Sequence, residues 1–342
     1  MGKDKYQQIK SLDYLKTISI FMVIVTHLSF TAISRKTLLF PYWIDMAVPF
    51  FFIISGYMYS LSWEKRELRN LKDWFGCKNF LDKFLRIFLP YIIIFGIEIL
   101  LFRILHRNVT VREIIYGFFT GGWGPGSYYF PVLVQLLLLF PFVFSLSKKK
   151  YGWFILIYIE ILLEILIQKL GVSDTTYRLL FFRYLGFVTF GILLYLHSTK
   201  RYVWVVSKIL NKKCLLFLAF LSGIAIIFLL NYSFYQPLLF KRWTTTSLPT
   251  LLYSFPLVFS FTKAESLIRR VPKALDDIVR IIAKSTFHIF LTQMAYYWFY
   301  KQDAIRLRYS VVQSFLICIS AGILFYYIEN YLTTRLFKRR NS

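Results

Sequence analysis

The sequence predicts an all-α polytopic integral membrane protein with about ten transmembrane helices and both termini in the cytoplasm. Three observations support this fold class. Of the 342 residues, 57% are hydrophobic and 17% are charged, whereas soluble domains carry about 25% charged residues. Apolar runs close to the roughly 20 residues that cross a bilayer recur along the whole chain. Lys and Arg residues cluster in alternate connecting segments.

The apolar runs define ten candidate spans. The weakest of them opens with TTTSLP and is interrupted by Pro256. The connecting segments between the runs are too short for a soluble domain, so residues 1–342 are expected to form a single membrane domain. The spans cover approximately 12–34, 42–62, 84–106, 127–147, 151–171, 178–198, 213–231, 246–262, 280–300 and 309–333.

The basic residues predict the orientation. With the N-terminus inside, about two-thirds of the 42 Lys and Arg residues fall in inner segments, as the positive-inside rule requires. Topology therefore explains the net charge of +25, and no nucleic-acid partner is expected. No cleavable signal peptide is visible. We expect a multi-pass protein of the cell (plasma) membrane, surrounded by membrane lipids.

Several chemistries lack their sequence signatures. The three cysteines, Cys77, Cys214 and Cys318, lie far apart without CxxC spacing, so neither a disulfide framework nor a metal site is predicted. The sequence has no GxSxG, P-loop or HExxH motif. Hydrolases, NTPases and metalloproteases of the soluble type are therefore excluded.

The first apolar segment carries three ionisable residues on nearly one helix face. Asp13 precedes Lys16 by one turn and can pair with it. His27 follows Lys16 by eleven residues, which places it on the same face about 16 Å further along the helix. An ionisable residue at that depth points to a functional site. His27 could be a general base, a histidine hydrogen-bonded between helices, or a proton relay in a transporter, and its position alone leaves these open.

Two further segments combine polar and helix-modifying residues. Lys83 and Arg86 lie one turn apart at the inner edge of the third span, where they could bind a phosphate or anchor the helix at lipid head groups. Pro49 and the Ser55–Gly56 pair lie within the second span. They predict a kink or a close helix approach, with Ser55 either packed or in contact with substrate.

The remaining polar positions are near the fourth, ninth and tenth spans. The outer segment GGWGPGSYYFP, which contains Tyr129, can fold back into the membrane if it lines a cavity. His106 and His197 are expected at the interface. The inner half of the ninth span is unusually polar. Other buried polar candidates are Gln135 in the fourth span, Lys284, Ser285, His288, Thr292 and Gln293 in the ninth, and Glu329 in the tenth.

The order of these motifs resembles the membrane-bound acyltransferase family 3, which includes O-acetyltransferases of bacterial surface polysaccharides. The most specific element is the basic residue and histidine of the first span, Lys16 and His27. It is followed in order by FFFIISGY, by Arg86 and Ile87 before Pro90, by YYFPVLVQLLLLFP, by STFHIFL and by a terminal IEN. The resemblance covers essentially the whole chain.

The resemblance implies an O-acyltransferase, with O-acetyl transfer as the first candidate. Its donor would be cytoplasmic acyl-CoA, most simply acetyl-CoA, and its acceptor a hydroxyl of a surface polysaccharide or glycolipid. Lys16, Lys83 and Arg86 would hold the nucleotide phosphates, and His27 would act as general base or carry the acyl group. No permanently bound cofactor is implied. Supporting roles would fall to Asp13, Ser55, Tyr129, Gln135, Ser285, Gln293 and Glu329.

Two departures from the family pattern matter. Many relatives place histidine where this chain has Gln293, and some have glutamate near Gln135, so that neither position supplies a second base here. No soluble C-terminal domain of the kind that some relatives carry is expected. The competing hypothesis is a polysaccharide exporter, flippase or proton-coupled transporter that uses His27 and the polar residues of the ninth span in its path. Oligomeric state is left open.

Overall fold

The computed structural model describes residues 10–105, 108–199, 212–232, 242–301 and 310–338. Within these residues ten long helices follow one another, and no β-strand is present. Each predicted apolar segment overlaps one of them. In chain order they are α1 (Lys10–Thr26), α2 (Ala47–Lys65), α3 (Cys77–Ile104), α4 (Tyr129–Ser147), α5 (Gly152–Lys169), α6 (Leu185–Ser198), α7 (Lys213–Tyr232), α8 (Leu251–Lys263), α9 (Lys273–Tyr300) and α10 (Val311–Lys338).

Shorter helices form the connections. Three lie between α1 and α2, and the others precede α3, α4, α6, α8 and α9. They are Ala32–Thr37, Phe40–Tyr42, Ile44–Met46, Leu71–Phe75, Val111–Thr120, Asp174–Arg178, Phe181–Tyr184, Leu248–Thr250 and Glu265–Ile268.

Six helical segments of the described chain are long and apolar enough to cross a membrane. They contain α2, α3, α4, α6, α7 and α10. Of the other four, α1 has 17 residues and α8 has 13, which is short for a bilayer core about 30 Å thick. The structure therefore supports an all-α membrane protein, while ten spans and the sides of the termini stay predictions.

The first helix is shorter than predicted. The apolar run extends to residue 34, but α1 ends at Thr26 and His27 lies in the turn that follows. The terminal carbonyls are satisfied from outside the helix. The Tyr297 hydroxyl donates to the Ile24 carbonyl at 2.9 Å, and Arg35 Nη1 donates to the Thr26 carbonyl at 3.0 Å. Such partners allow a helix to end within a membrane protein.

Contacts from α9 and its preceding segment fix the start of α1. Lys10 Nζ lies 2.6 Å from Asp276 of α9. Glu265 accepts a hydrogen bond from the backbone N–H of Ser11 at 3.1 Å, which places a carboxylate at the positive end of the helix dipole. Helix α1 then packs between α2 and α9. Its residues can therefore face cavities enclosed by both neighbours.

Helices α2 and α6 approach each other closely at two glycines. A Cβ atom at Gly56 would lie 2.2 Å from the carbonyl oxygen of Val188, and one at Gly191 would lie 2.0 Å from that of Ile53. Small residues permit such backbone approaches between membrane helices. The close approach predicted for the Ser55–Gly56 pair is confirmed, and Pro49 falls in the first turn of α2, where proline is tolerated.

Candidate active site

A cavity of about 360 Å³ lies among α1, α2, α3, α4 and α9, at the end of the bundle where α1 begins. We call it the inner cavity, after the predicted orientation. Five basic side chains line it: Lys16, Arg66, Lys83, Arg86 and Lys284. The other lining residues are Phe51, Ile54, Ser55, Met58, Tyr59, Ser62, Ile87, Tyr129, Leu133, Ala283, Thr286, Phe287 and Phe290. The inner cavity is thus basic where it begins and apolar towards the middle of the bundle.

Lys83 is the least exposed of these cations. It is 7% exposed, and its ammonium lies 3.1 Å from the centre of the Trp74 ring. No described residue accepts a hydrogen bond from its Nζ atom. A buried charge normally has a hydrogen-bonded partner, so the inner cavity presents an ammonium group that is ready to bind an anion.

Lys16 and Asp13 form the pair that their spacing predicts. Lys16 Nζ lies 3.6 Å from Asp13 Oδ1, and both side chains are largely buried. At the rim, Arg66 Nη1 lies 3.7 Å from Asp82 of α3, while Arg86 and Lys284 are exposed. Two carboxylates thus offset part of the positive charge, and the basic groups still outnumber them.

A second cavity, of about 270 Å³, lies where α1 ends, and we call it the outer cavity. It is built from the segment after α1, the start of α2, the loop before α4 and the segment before α8. Its lining residues are Val23, Thr26, His27, Arg35, Ile44, Asp45, Ala47, Val48, Phe51, Gly126, Tyr128, Tyr129, Thr245, Thr246 and Phe290. His27 is therefore a wall residue of a cavity and not only a packed side chain.

The contacts around the end of α1 hold His27 in this wall. The rings of His27 and Tyr297 have their centres 6.0 Å apart, and the same tyrosine bonds the Ile24 carbonyl. Arg35 bonds the Thr26 carbonyl and pairs with Asp45 at 2.9 Å. Helix α9 and the segment leading to α2 thus fix the backbone at the end of α1, next to His27, from two sides.

Gly126 leaves room beside the imidazole. Its φ of +89° is a left-handed conformation that favours glycine. A Cβ atom there would lie 3.3 Å from the Phe290 ring, which is a tight contact, and 3.7 Å from His27 Nε2, which is an ordinary one. The loop before α4 lines the outer cavity, as its composition predicts, and a side chain at residue 126 would press on Phe290 and fill space beside the imidazole.

The two cavities share three wall residues: Phe51, Tyr129 and Phe290. The ring centres of Tyr129 and Phe290 are 4.9 Å apart, and those of Phe51 and Tyr129 are 6.1 Å apart. We call these three residues the common wall. On one side of it lie five cations, and on the other lies a histidine.

Comparison with known protein families identifies the class of enzyme. The family profile described as an acyltransferase domain matches residues 9–329, essentially the whole chain. The chain belongs to acyltransferase family 3. It is a membrane acyltransferase, as the order of motifs along the chain predicted. Comparisons with curated proteins and with solved structures give no significant match.

Most of the residues singled out from the acyltransferase resemblance meet at the two cavities. Lys16, Lys83, Arg86 and Ser55 line the inner cavity, and His27 lines the outer cavity. Tyr129 belongs to the common wall. Asp13 reaches the inner cavity through its pair with Lys16.

Gln135 and Ser285 line neither cavity of the acyltransferase. Gln135 Nε2 donates to the Leu179 carbonyl at 2.6 Å, and its Oε1 accepts the N–H of Phe181 at 3.0 Å. Ser285 donates to the Ile281 carbonyl within α9. Gln135 therefore fastens the segment before α6, and Ser285 stays within its own helix.

Gln293 and Glu329 also lie outside both cavity walls. Gln293 Nε2 donates to the Pro125 carbonyl at 3.3 Å, which ties α9 to the loop that carries Gly126. Glu329 lies 3.6 Å from His288 Nε2, and this pair joins α10 to α9. Gln293 can thus influence the outer cavity only by holding its loop.

Three charged residues of the two walls were not selected from the sequence. Arg66 lines the inner cavity, and Arg35 and Asp45 line the outer one. Arg66 resembles an ordinary topology-setting cation. For Arg35 and Asp45, the signal was two opposite charges in a short segment otherwise dominated by apolar residues.

Proposed function

We propose that this acyltransferase moves an acyl group, first of all acetyl, from cytoplasmic acyl-CoA to a hydroxyl of a cell-surface glycan or glycolipid. One observation carries the proposal. A cavity lined by Lys16, Lys83 and Arg86 and a cavity lined by His27 share one aromatic wall. Donor and acceptor would occupy the two cavities, and the acyl group would cross at that wall.

The inner cavity suits the phosphates of acyl-CoA. Arginine binds phosphate oxygens through two parallel N–H groups, and lysine acts as a compact charge. Arg86 and Lys284 would meet the phosphates at the rim, and the buried Lys83 ammonium would supply hydrogen bonds further in. The apolar residues beyond them would surround the narrow arm that carries the thioester.

The thioester would have to reach the common wall. The helix from Lys16 to Thr26 rises about 15 Å, and His27 follows in the next turn. An extended thioester arm can bridge a distance of this size. The rings of Phe51, Tyr129 and Phe290 would separate to admit the acyl end of this arm. The thioester carbonyl would then lie between these rings and face the imidazole and the outer cavity.

His27 would then act as the general base. Its unprotonated nitrogen takes the proton of the acceptor hydroxyl, and the oxygen attacks the thioester carbonyl carbon. When the C–S bond breaks, the imidazolium returns the proton to the CoA sulfur, so that an ester and free CoA-SH result. In the acyl-relay variant, His27 first takes the acyl group itself with release of CoA-SH, and the hydroxyl then takes it from the imidazole.

Transport by the same path has less support. The family is one of acyltransferases, and the transporter hypothesis needs the polar residues of α9 along a route through the protein. Of these, Lys284 lines the inner cavity, whereas Ser285, His288 and Gln293 line neither cavity.

The test compares His27→Ala with His197→Ala at equal protein levels. His197 is a partly buried histidine at the end of α6 and lines neither cavity. Two quantities are measured: release of CoA from acetyl-CoA by membranes, and O-acyl content of the surface polysaccharide by mass spectrometry. Loss of general-base catalysis should lower transfer by about 10²–10⁴-fold in His27→Ala and leave His197→Ala close to wild type.

Two outcomes would contradict the proposal. Unchanged ester content in His27→Ala would remove His27 from the chemistry. Failure of glycan export with normal acylation of the remaining polymer would instead favour the transporter hypothesis.

A further inference from the structure

We propose that a third cavity, next to the outer cavity, binds an anionic group of the acceptor, either a carboxylate or a phosphate. It is about 340 Å³ in volume and is formed by the segment between α5 and α6 and the segment before α8. We call it the arginine pocket, after Arg178, Arg183 and Arg242 in its wall. This inference rests on the proposed function, because it names the class of acceptor that the outer cavity would take.

The arginine pocket adjoins the outer cavity. Tyr128 and Thr246 line both of them. Arg183 Nη2 donates to Thr246 Oγ1 at 3.0 Å, so that the guanidinium is held against a residue of the outer cavity. A group bound in the arginine pocket would therefore belong to a molecule that also extends towards His27.

Arg183 is a buried cation that forms no close ion pair with the described residues. It is 5% exposed, and it forms no ion pair with any described carboxylate. Its Nε atom is buried and has no hydrogen-bond partner in the described part of the chain. Burying a guanidinium is costly unless it is paired and hydrogen-bonded. The missing partner is therefore an anion.

Two carboxylates of α5, Glu160 and Glu164, interact with Arg183 at longer range, and each accepts a hydrogen bond from another group. Glu160 accepts the backbone N–H of Gly186 at 2.6 Å. Glu164 of α5 accepts a hydrogen bond from the Tyr177 hydroxyl at 2.6 Å. The Tyr177 ring in turn lies under two guanidinium groups, with the Cζ atoms of Arg183 and Arg242 at 4.5 Å and 5.6 Å from its centre. Tyr177 thus orients both arginines by cation–π contacts and leaves their N–H groups available.

Arg242 supplies a second donor. Its Nε lies 3.1 Å from Asp174 Oδ1, but the Asp174 side chain is 78% exposed, so this pair lies at the rim. Arg242 Nη1 is buried and has no described partner. Two guanidinium groups with free donors suit the oxygens of one carboxylate or phosphate. The partly exposed ring of Tyr128 beside them suits the face of a sugar.

Binding is tested first without catalysis. The purified full chain is heated with D-glucuronate, inorganic phosphate or D-glucose at matched ionic strength, and Tm is recorded. We expect at least one anion to raise Tm by about 2 °C or more, since ligands that bind the native state stabilise it, whereas glucose does not. A shift with glucuronate alone assigns a carboxylate, and a shift with phosphate alone assigns a phosphate.

The variants Arg183→Gln and Arg242→Gln should each abolish this shift. Arg242→Gln is included because Arg183 is buried and its replacement could impair folding. Arg112→Gln, an exposed arginine of the helix before α4, is the matched control and should retain the shift. Absence of any anion shift in the wild type, its persistence in both pocket variants, or its equal loss in Arg112→Gln would overturn the proposal.

Failure of this proposal is distinguishable from failure of the proposed function. Acetyl-CoA should raise Tm equally in the wild type and in both arginine variants, because it would bind the inner cavity. Transfer from acetyl-CoA to a glucuronate-containing oligosaccharide should exceed transfer to its carboxyl-reduced form about tenfold if the anion is a carboxylate, and the variants should lose the preference. Absence of acetyl-CoA binding and turnover in all proteins would refute the proposed function alone.

Discussion

The Lys83 ammonium lies 3.1 Å from the centre of the Trp74 ring, within the wall region of the inner cavity. Trp74 is fully buried and donates its indole N–H to the Leu137 carbonyl of α4 at 3.1 Å. An aromatic face attracts a desolvated cation by about 2 kcal/mol, but it leaves the ammonium N–H groups unused. The arrangement positions a cation and keeps its donors for a ligand.

Replacement of Lys83 by Met should weaken donor binding. We expect the KM for acetyl-CoA to rise about tenfold with kcat within about threefold of wild type, because the lost contact acts on the bound donor and not at the reacting carbonyl. Steady-state kinetics with membranes measure both constants. Lys72→Met, at an exposed lysine of the helix Leu71–Phe75, is the control. A fall in kcat at unchanged KM would place Lys83 outside donor binding.

Replacement of Tyr297 by Phe should disturb the imidazole while sparing the inner cavity. The change removes the hydrogen bond to the Ile24 carbonyl, which costs about 1–3 kcal/mol when the acceptor stays buried. We expect kcat to fall several-fold, the KM for acetyl-CoA to stay the same and Tm to drop by a few degrees. Tyr116→Phe, at an exposed tyrosine, should change none of these. A raised KM alone would argue against this role.

Alanine variants of Gly126 and Gly171 distinguish the effect of a side chain in the outer cavity from the effect of backbone strain. Both have positive φ, +89° and +61°, but only Gly126 lies near His27, whereas a Cβ atom at Gly171 would meet nothing within 4 Å. Alanine at either position costs about 1–2 kcal/mol of backbone strain. We expect both variants to have a lower Tm. Only Gly126→Ala should have a lower transfer activity when activity is normalised to the amount of folded protein. Equal activity in the two variants would show that the space beside the imidazole is not used.

Gly56 and Gly96 provide a matched pair for helix packing. A Cβ atom at Gly56 would collide with the Val188 carbonyl at 2.2 Å, and one at Gly96 would meet nothing within 4 Å. Overpacking costs about 1–3 kcal/mol, whereas alanine gains about 1 kcal/mol over glycine in an open helix position. Thermal unfolding should show a lower Tm for Gly56→Ala and an unchanged or higher one for Gly96→Ala. The opposite order would contradict the close α2–α6 contact.

The helices could be predicted from the sequence because each apolar run coincides with one long helix. The end of α1 could not. Residues 27–34 continue the apolar character of the run, and the groups that end the helix are the Tyr297 hydroxyl and the Arg35 guanidinium. Tyr297 is about 270 residues away in the chain, and no local pattern shows that its hydroxyl would meet the Ile24 carbonyl.

The site was predictable only where its residues are close in the sequence. Lys16 and His27 lie in one short segment, so the rise of α1 from Lys16 to Thr26 sets most of the distance between them. The meeting of Lys83 with Trp74 and the common wall depend on helix packing and are invisible in local spacing. Gln135 shows the converse limit: a polar residue inside an apolar helix suggests a site, yet its amide binds the backbone at residues 179 and 181.

Under the proposed function, the common wall of Phe51, Tyr129 and Phe290 also has a kinetic consequence. Two substrates that arrive from opposite faces of a membrane do not compete for one entrance, so free CoA would inhibit from the inner face only. Acceptor analogues would inhibit from the outer face only. An enzyme built in this way senses the supply of activated acyl groups in one compartment and the supply of hydroxyl groups in the other, and it turns over only when both are present.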